Sequence, residues 1–251
     1  MQIVRFKVDD RTRYGVLEGS NVVEYSGTPW TLFRRGRRRV PVKHAVLLAP
    51  TLPSKIVGVS FNYHDRAAEL GRSAPEEAGF FLKPASALVG PDDPIIYPPD
   101  SRRVEHQAEL AVVIKRRCRN VHAQRARDYV LGYTCLNDVT ARDLEARGQP
   151  MRAKGFDTFC PIGPCIATDI DPNAVAIEAY VNGELRQASS TKELVVPVEE
   201  IVASLTRIMT LLPGDVIATG TPAGAGPLEP GDRVEIRIEG IGILKNSVVR
   251  L

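Results

Sequence analysis

The segment Glu105-His106-Gln107-Ala108-Glu109 runs directly into the apolar stretch Leu110-Ala111-Val112-Val113-Ile114. Side chains alternate faces along a strand, so this spacing sets Glu105, Gln107 and Glu109 in one row of oxygen donors. Such a row suits a hard divalent cation, Mg²⁺ or Mn²⁺, which takes carboxylate and amide oxygens; the other reading is an acidic strand face held by water. The apolar run is short, rich in β-branched residues and closed by Lys115-Arg116-Arg117, which predicts a buried strand whose front end opens into a cleft.

Three further places carry chemistry. Asp138, in Asn137-Asp138, either caps a helix beginning at Thr140 or supplies a third oxygen beside Glu109 and Gln107, leaving positions on the ion open. Lys154, in Lys154-Gly155-Phe156-Asp157, either pairs with Asp157 or projects into the anionic cleft, where an ammonium group stabilises an enolate. The glycine-rich run from Thr219 to Gly226 has no Lys-Ser/Thr after its glycines and opens onto no helix, so it is not a phosphate loop of the usual kind. It is either a plain loop or a tight turn that offers backbone N–H groups and the Thr221 hydroxyl to a carboxylate.

The elements that must hold these residues are strands and short helices. The first 25 residues alternate as two or three strands, and prolines at 41, 50 and 53 place a boundary near residue 50. Asn62 is expected to cap a helix running to Leu70, with further helices over 123–131 and 140–147. The clearest helix starts at Pro197, with Ile201, Leu205, Ile208 and Leu212 spaced to face inward. No regular βαβ alternation appears, which favours an α+β fold over a doubly wound sheet.

Composition narrows the function classes. The chain has 251 residues, 43% hydrophobic and 25% charged, with a net charge of +3. These are ordinary values for a globular protein. No apolar stretch approaches the ~20 residues of a membrane span, and the charged start is no signal peptide, so a cytoplasmic protein without a membrane role is expected. Arg34, Arg35, Arg37, Arg38 and Arg39 form a basic block without aromatic partners, which reads as a solvated loop and not as a nucleic-acid surface. The four cysteines contain no Cys-x-x-Cys pair and read as reduced thiols.

Taken together the motifs resemble the fumarylacetoacetate hydrolase family. The stretches are Gly58-x-x-x-Asn62-Tyr63, Phe81-Leu82-Lys83-Pro84-x-Ser86-Ala87 and Ala108-Glu109-Leu110-Ala111-Val112-Val113-Ile114. They continue with Gly132-Tyr133-Thr134-x-x-Asn137-Asp138-Val139-Thr140-Ala141-Arg142-Asp143, Lys154-Gly155-Phe156-Asp157-Thr158-Phe159-Cys160-Pro161 and Pro213-Gly214-Asp215-Val216-Ile217-x-Thr219-Gly220-Thr221-Pro222. The resemblance implies a mixed β-sheet rolled into a sandwich-like barrel over residues 51–251, with residues 1–50 as a small β-rich appendage. It also implies a homodimer that binds Mg²⁺ or Mn²⁺ and acts on small 2-oxo acids. In that family the ion serves as a Lewis acid toward an enolate formed in C–C cleavage, decarboxylation or tautomerisation. By motif position Gln107, Glu109 and Asp138 correspond to metal ligands, Lys154 and Glu69 to catalytic groups. Lys83, Tyr133, Arg142, Glu145 and Thr221 fall at substrate-binding places.

Three residues depart from the family pattern. Gln107 stands where a glutamate is usual, which lowers the ligand charge. Arg66 stands where members that hydrolyse C–C bonds have the His of a His-x-x-Glu pair on a lid helix; Glu69 matches its Glu, and His64 lies two residues too early. Arginine is no general base at neutral pH, so isomerase or decarboxylase chemistry on a diacid is expected ahead of hydrolysis of acylpyruvates. The other alternative is a catalytically weakened binding or partner subunit, which Gln107 and Arg66 together favour. Glu145 replaces a substrate-binding Gln and is a candidate to restore the charge missing at Gln107.

Overall fold

A computed structural model describes residues 1–250. Its principal sheet runs edge to edge through Arg34–Pro41, Asn21–Ser26, Arg11–Glu18, Gln2–Val8, Cys160–Ala167, Val130–Asn137, Ala108–Ile114, Val216–Ala218, Ile56–Ser60 and Gly79–Lys83. A five-stranded sheet orders as Glu184–Ser190, Ala176–Val181, Arg233–Ile238, Gly242–Val249 and Ile95–Ile96, and packs over the middle of the first. The pairings are mixed, helices are few and short, and the ends of the large sheet do not meet. The α+β, sheet-dominated expectation therefore matches, whereas the strand pairings close no barrel.

Parity along the central strand decides what faces what. Leu110, Val112 and Ile114 join Ile177, Ala179 and Ile236 in the core between the two sheets. Ala111 packs on the opposite face with Ile56, Leu136 and Val216, and Glu109 shares that parity. The strand is buried on both faces, which explains its unbroken apolar run.

The N-terminal strands belong to the same sheet as the rest. Gln2–Val8 pairs antiparallel with Cys160–Ala167, and Ile3 and Val16 pack on Val113 and Ile166. The arginine block is an edge strand, not a loop: Arg35 and Arg39 both reach Glu18, and Arg38 reaches Asp9. Charged side chains on an exposed edge discourage pairing with another chain. The four cysteines are free and buried. No helix among the described residues is long and apolar enough to cross a membrane.

Several helices are shorter than their patterns suggest. Residues 123–129 form a 3₁₀ helix and the next residue already enters a strand; Thr140–Ala141 is a strand, and only Arg142–Glu145 is helical. The helix Val198–Ile208 buries Val198, Ile201, Val202 and Leu205, but Ile208 and Leu212 are exposed. The chain turns extended at Met209, so the apolar stripe has no last turn to continue on.

Candidate active site

The acidic segment is not one strand. Val104–His106 pairs with Thr140–Ala141 and Gly226–Leu228 in a small three-stranded sheet, whereas Ala108–Ile114 belongs to the principal sheet. The changeover falls on Gln107. Its backbone is held on both sides there, the N–H donating to Asn137 Oδ1 (2.9 Å) and the carbonyl accepting from Asp138 N–H (2.9 Å). The expected single row of donors is thereby bent, and Glu105, Gln107 and Glu109 look into one cleft from two sheets.

That cleft has a volume of about 850 Å³ and is lined by Glu69, Glu105, Gln107, Glu109, Asp138, Arg142, Glu145, Lys154 and Thr221, among others. Asp138 is the hub of its floor. Lys83 Nζ donates to Oδ1 (2.6 Å) and Lys154 Nζ to Oδ2, and Lys154 also reaches Thr140 Oγ1 (2.8 Å). Burial alone would raise the Asp138 carboxyl, but the two ammonium groups outweigh it and hold it below the ordinary range. Glu109 has no such partner. Burial first, and then the neighbouring Asp138 charge, push its carboxyl well above the ordinary range. Only a hydrogen bond from Gly220 N–H (2.8 Å) meets its Oε2.

A buried carboxylate pair with one member short of positive charge fits a divalent cation, because oxygen donors are what such an ion takes. Glu109 and Asp138 would hold it. Gln107 stands differently: its amide is satisfied with nitrogen toward Asp138 Oδ2 (3.1 Å) and oxygen toward an Arg142 Nη, the opposite orientation setting oxygen against oxygen. To coordinate, that amide has to turn over. Among the described residues no three His, Cys, Asp or Glu side chains cluster as a ligand set.

Arg142 is clamped, its Nε donating to Glu105 Oε2 (2.9 Å) and an Nη pairing with Glu145. Glu145 is thus committed to Arg142 and adds no free charge beside Gln107. Lys154 pairs with Asp138, not Asp157, and sits 4.5 Å above the Phe81 ring. Lys83 lies beneath the cleft and does not line it. Tyr133 corrects the reading from sequence: it pairs with Val112, shares that residue's parity and points into the core between the sheets. Burial pushes its hydroxyl up to about 12. His64 is exposed and lines no part of the cleft.

The far wall is the helix His64–Glu69. Asn62 does not cap it; the Asn62 amide instead joins Val196 (3.1 and 2.8 Å) to the Thr219 carbonyl (2.9 Å). Arg66 pairs with Glu69, whose Oε1 accepts from Gly224 N–H (3.1 Å). Asp65 accepts from Ala223 N–H (3.3 Å) and from Ser189 Oγ. Gly220 has φ +103°, and a Cβ there would stand 2.9 Å from Asn62 Cβ, so only glycine brings this N–H to Glu109. One group escaped sequence reasoning: Gln187 joins the acidic segment to the Thr221 loop and lies in no recognisable spacing. Glu105, expected in the row of donors, instead holds Arg142 from outside the ligand set.

The profile of the fumarylacetoacetate (FAA) hydrolase C-terminal family matches residues 55–249, and an Rv2993c-like N-terminal profile matches residues 1–50. The chain belongs to the fumarylacetoacetate hydrolase family. It is 42% identical over 224 residues to a mitochondrial oxaloacetate tautomerase of Bos taurus, covering 84% of this chain and 71% of that one. Among solved structures of the family's fold, 5-carboxymethyl-2-hydroxymuconate delta-isomerase from Mycobacterium smegmatis superposes with a TM-score of 0.93 at 46% identity over the whole of both chains. Maleylpyruvate hydrolase from Sphingobium sp. SYK-6, solved with manganese(II) and pyruvate, superposes with a TM-score of 0.83 at 34% identity, covering 100% of this chain and 99% of that one.

Proposed function

We propose that this protein is a divalent-metal-dependent isomerase or decarboxylase of a small 2-oxo or 2-hydroxydienoic dicarboxylic acid. The observation that carries the reading is the Glu109–Asp138 pair at the floor of a cleft whose charges cancel once that pair is counted as ionised. Five cationic and five carboxylate side chains line it, so a bound divalent ion leaves two net positive charges, the complement of a dicarboxylate. The manganese and pyruvate of the Sphingobium hydrolase support the cofactor and substrate class, and the isomerase and tautomerase relatives support the reaction.

Mg²⁺ or Mn²⁺ held by Glu109 and Asp138 supplies Lewis acidity toward a 2-oxo oxygen. The protein does the rest. Arg142, fixed by Glu105 and Glu145, and the Thr221 hydroxyl hold the 1-carboxylate. Lys154, drawn between Asp138 and Phe81, offsets the charge of the enolate as it forms. Glu69 on the opposite wall is placed to move a proton between oxygen and carbon of the substrate, which is all that an enol–keto shift requires. In decarboxylation the 2-oxo group receives the electron pair of the breaking C–C bond and becomes the same enolate as CO₂ leaves. Hydrolysis needs in addition a base that activates water, and Arg66 occupies that place.

Assays of oxaloacetate tautomerisation and decarboxylation, 2-hydroxyhepta-2,4-diene-1,7-dioate isomerisation and acylpyruvate hydrolysis, run side by side with each metal, test the assignment. Fast hydrolysis alone overturns it. We further take the active form to be a homodimer, which sedimentation velocity checks.

A further inference from the structure

Gln187 lies in the strand Glu184–Ser190 of the second sheet, outside every motif discussed above, and is buried. Its amide spans two parts of the site. Oε1 accepts from Ala108 N–H (2.9 Å) and faces His106 Nδ1 (3.2 Å), while Nε2 donates to Thr221 Oγ1 (2.9 Å) and to the Pro222 carbonyl (2.9 Å). Ala108 sits just past the changeover at Gln107, where its N–H has no strand partner on that side, and it precedes Glu109.

The orientation of this amide is forced. A backbone N–H only donates and a carbonyl only accepts, so oxygen must face Ala108 and nitrogen must face Pro222. His106 then presents Nδ1–H to the same oxygen, leaving its buried Nε2 without a partner. The consequence falls on Thr221, which lines the cleft. An amide nitrogen has no lone pair to offer, so the Thr221 oxygen accepts from it and the hydroxyl proton is left for another acceptor.

We propose that Gln187 is a positioning residue that fixes the polarity of Thr221, making the hydroxyl a donor into the cleft and the glycine-rich loop selective for an anionic oxygen. This rests on the reading of the ligand as a carboxylate substrate. Gln187→Glu keeps the size and the acceptor for Ala108 N–H, but an ionised carboxylate takes the Thr221 proton and turns it away from the cleft. Gln187→Met removes every hydrogen bond of the amide and leaves the hydroxyl free to donate.

Oxalate binding in saturating Mn²⁺, followed by calorimetry, is expected to weaken at least tenfold in Gln187→Glu, the range of a lost hydrogen bond to a charged group, and less in Gln187→Met. In a Thr221→Val background Gln187→Glu should add under about twofold, which separates hydroxyl polarity from plain charge repulsion. Mn²⁺ affinity without oxalate stays within about twofold throughout, and for a turned-over diacid KM rises while kcat holds. A merely structural Gln187 gives the reverse order, Met worse than Glu, and either that order or additivity with Thr221→Val overturns the proposal. If the wild type binds no oxalate with Mn²⁺, the functional reading falls. The tie is then judged by hydrogen exchange of residues 219–226, which must quicken in Gln187→Met, where every bond to the loop is lost; unchanged exchange overturns it.

Discussion

Arg66 is the residue on which reaction type turns. It stands on the far wall of the cleft, paired with Glu69, and carries no usable base. Replacing it by histidine restores a base one helical turn from Glu69, so Arg66→His is expected to raise acylpyruvate hydrolysis at least tenfold, the low end of what a positioned base contributes. A rise in product release measured against the wild type checks this. At the floor, Gln107→Glu adds a third negative charge beside Glu109 and Asp138 and should tighten Mn²⁺ binding about tenfold by titration calorimetry. Glu145→Gln should leave that affinity nearly unchanged, because Glu145 is already spent on Arg142. Unchanged binding in Gln107→Glu would show that Arg142 simply captures the new carboxylate.

Elements bring these side chains together by meeting at their ends. The strand Ala108–Ile114 delivers Glu109, the strand Val130–Asn137 delivers Asp138 just beyond its end, and the loop after Val216–Ala218 delivers Gly220 and Thr221. Thr219 N–H and Oγ1 both donate to the Leu110 carbonyl (3.0 and 2.9 Å), which locks that loop to the acidic strand. Gly220→Ala strains a positive φ and meets Asn62, so it should lower stability by about 2 kcal/mol and weaken metal binding together. Urea unfolding and calorimetry on one sample check both effects. If stability falls with metal affinity intact, the Gly220–Glu109 hydrogen bond is not what prepares the site.

At the scale of the whole molecule, residues 1–50 and the remainder share a sheet and a core. The only tryptophan, Trp30, donates its indole N–H to the Ile114 carbonyl (2.9 Å), at the far end of the strand that carries Glu109. Tryptophan fluorescence and far-ultraviolet circular dichroism should therefore report one coincident unfolding transition. An earlier fluorescence transition would mean that the N-terminal strands detach alone. Asp215 adds a second long-range tie: it accepts from Ser54 N–H (3.0 Å), Lys55 N–H (3.2 Å) and Leu212 N–H (2.8 Å), and pairs with Lys55. Removing it orphans several of these donors together, and Asp215→Ala should lower stability by about 3 kcal/mol in denaturant titration.

The chain by itself determined its family, its sheet-rich class and most of the cleft. Glu109, Asp138, Lys154 and Thr221 were legible because their neighbours in sequence, a buried apolar strand or a turn, belong to the same local pattern, whereas Arg142 was reached only through the resemblance to the family. What tertiary structure decided was direction and partnership. Tyr133 lies one strand from the site but on the wrong parity, a fact set by which face the second sheet covers. The donor row bends at Gln107 because its two halves pair with different sheets. Asp138 shares two lysines, one of them 55 residues away along the chain, and Gln187 reaches Thr221 from another sheet. Local spacing encodes which side chains a segment carries, but hydrogen-bond partners and charge balance arise between segments, and only the fold brings those within reach.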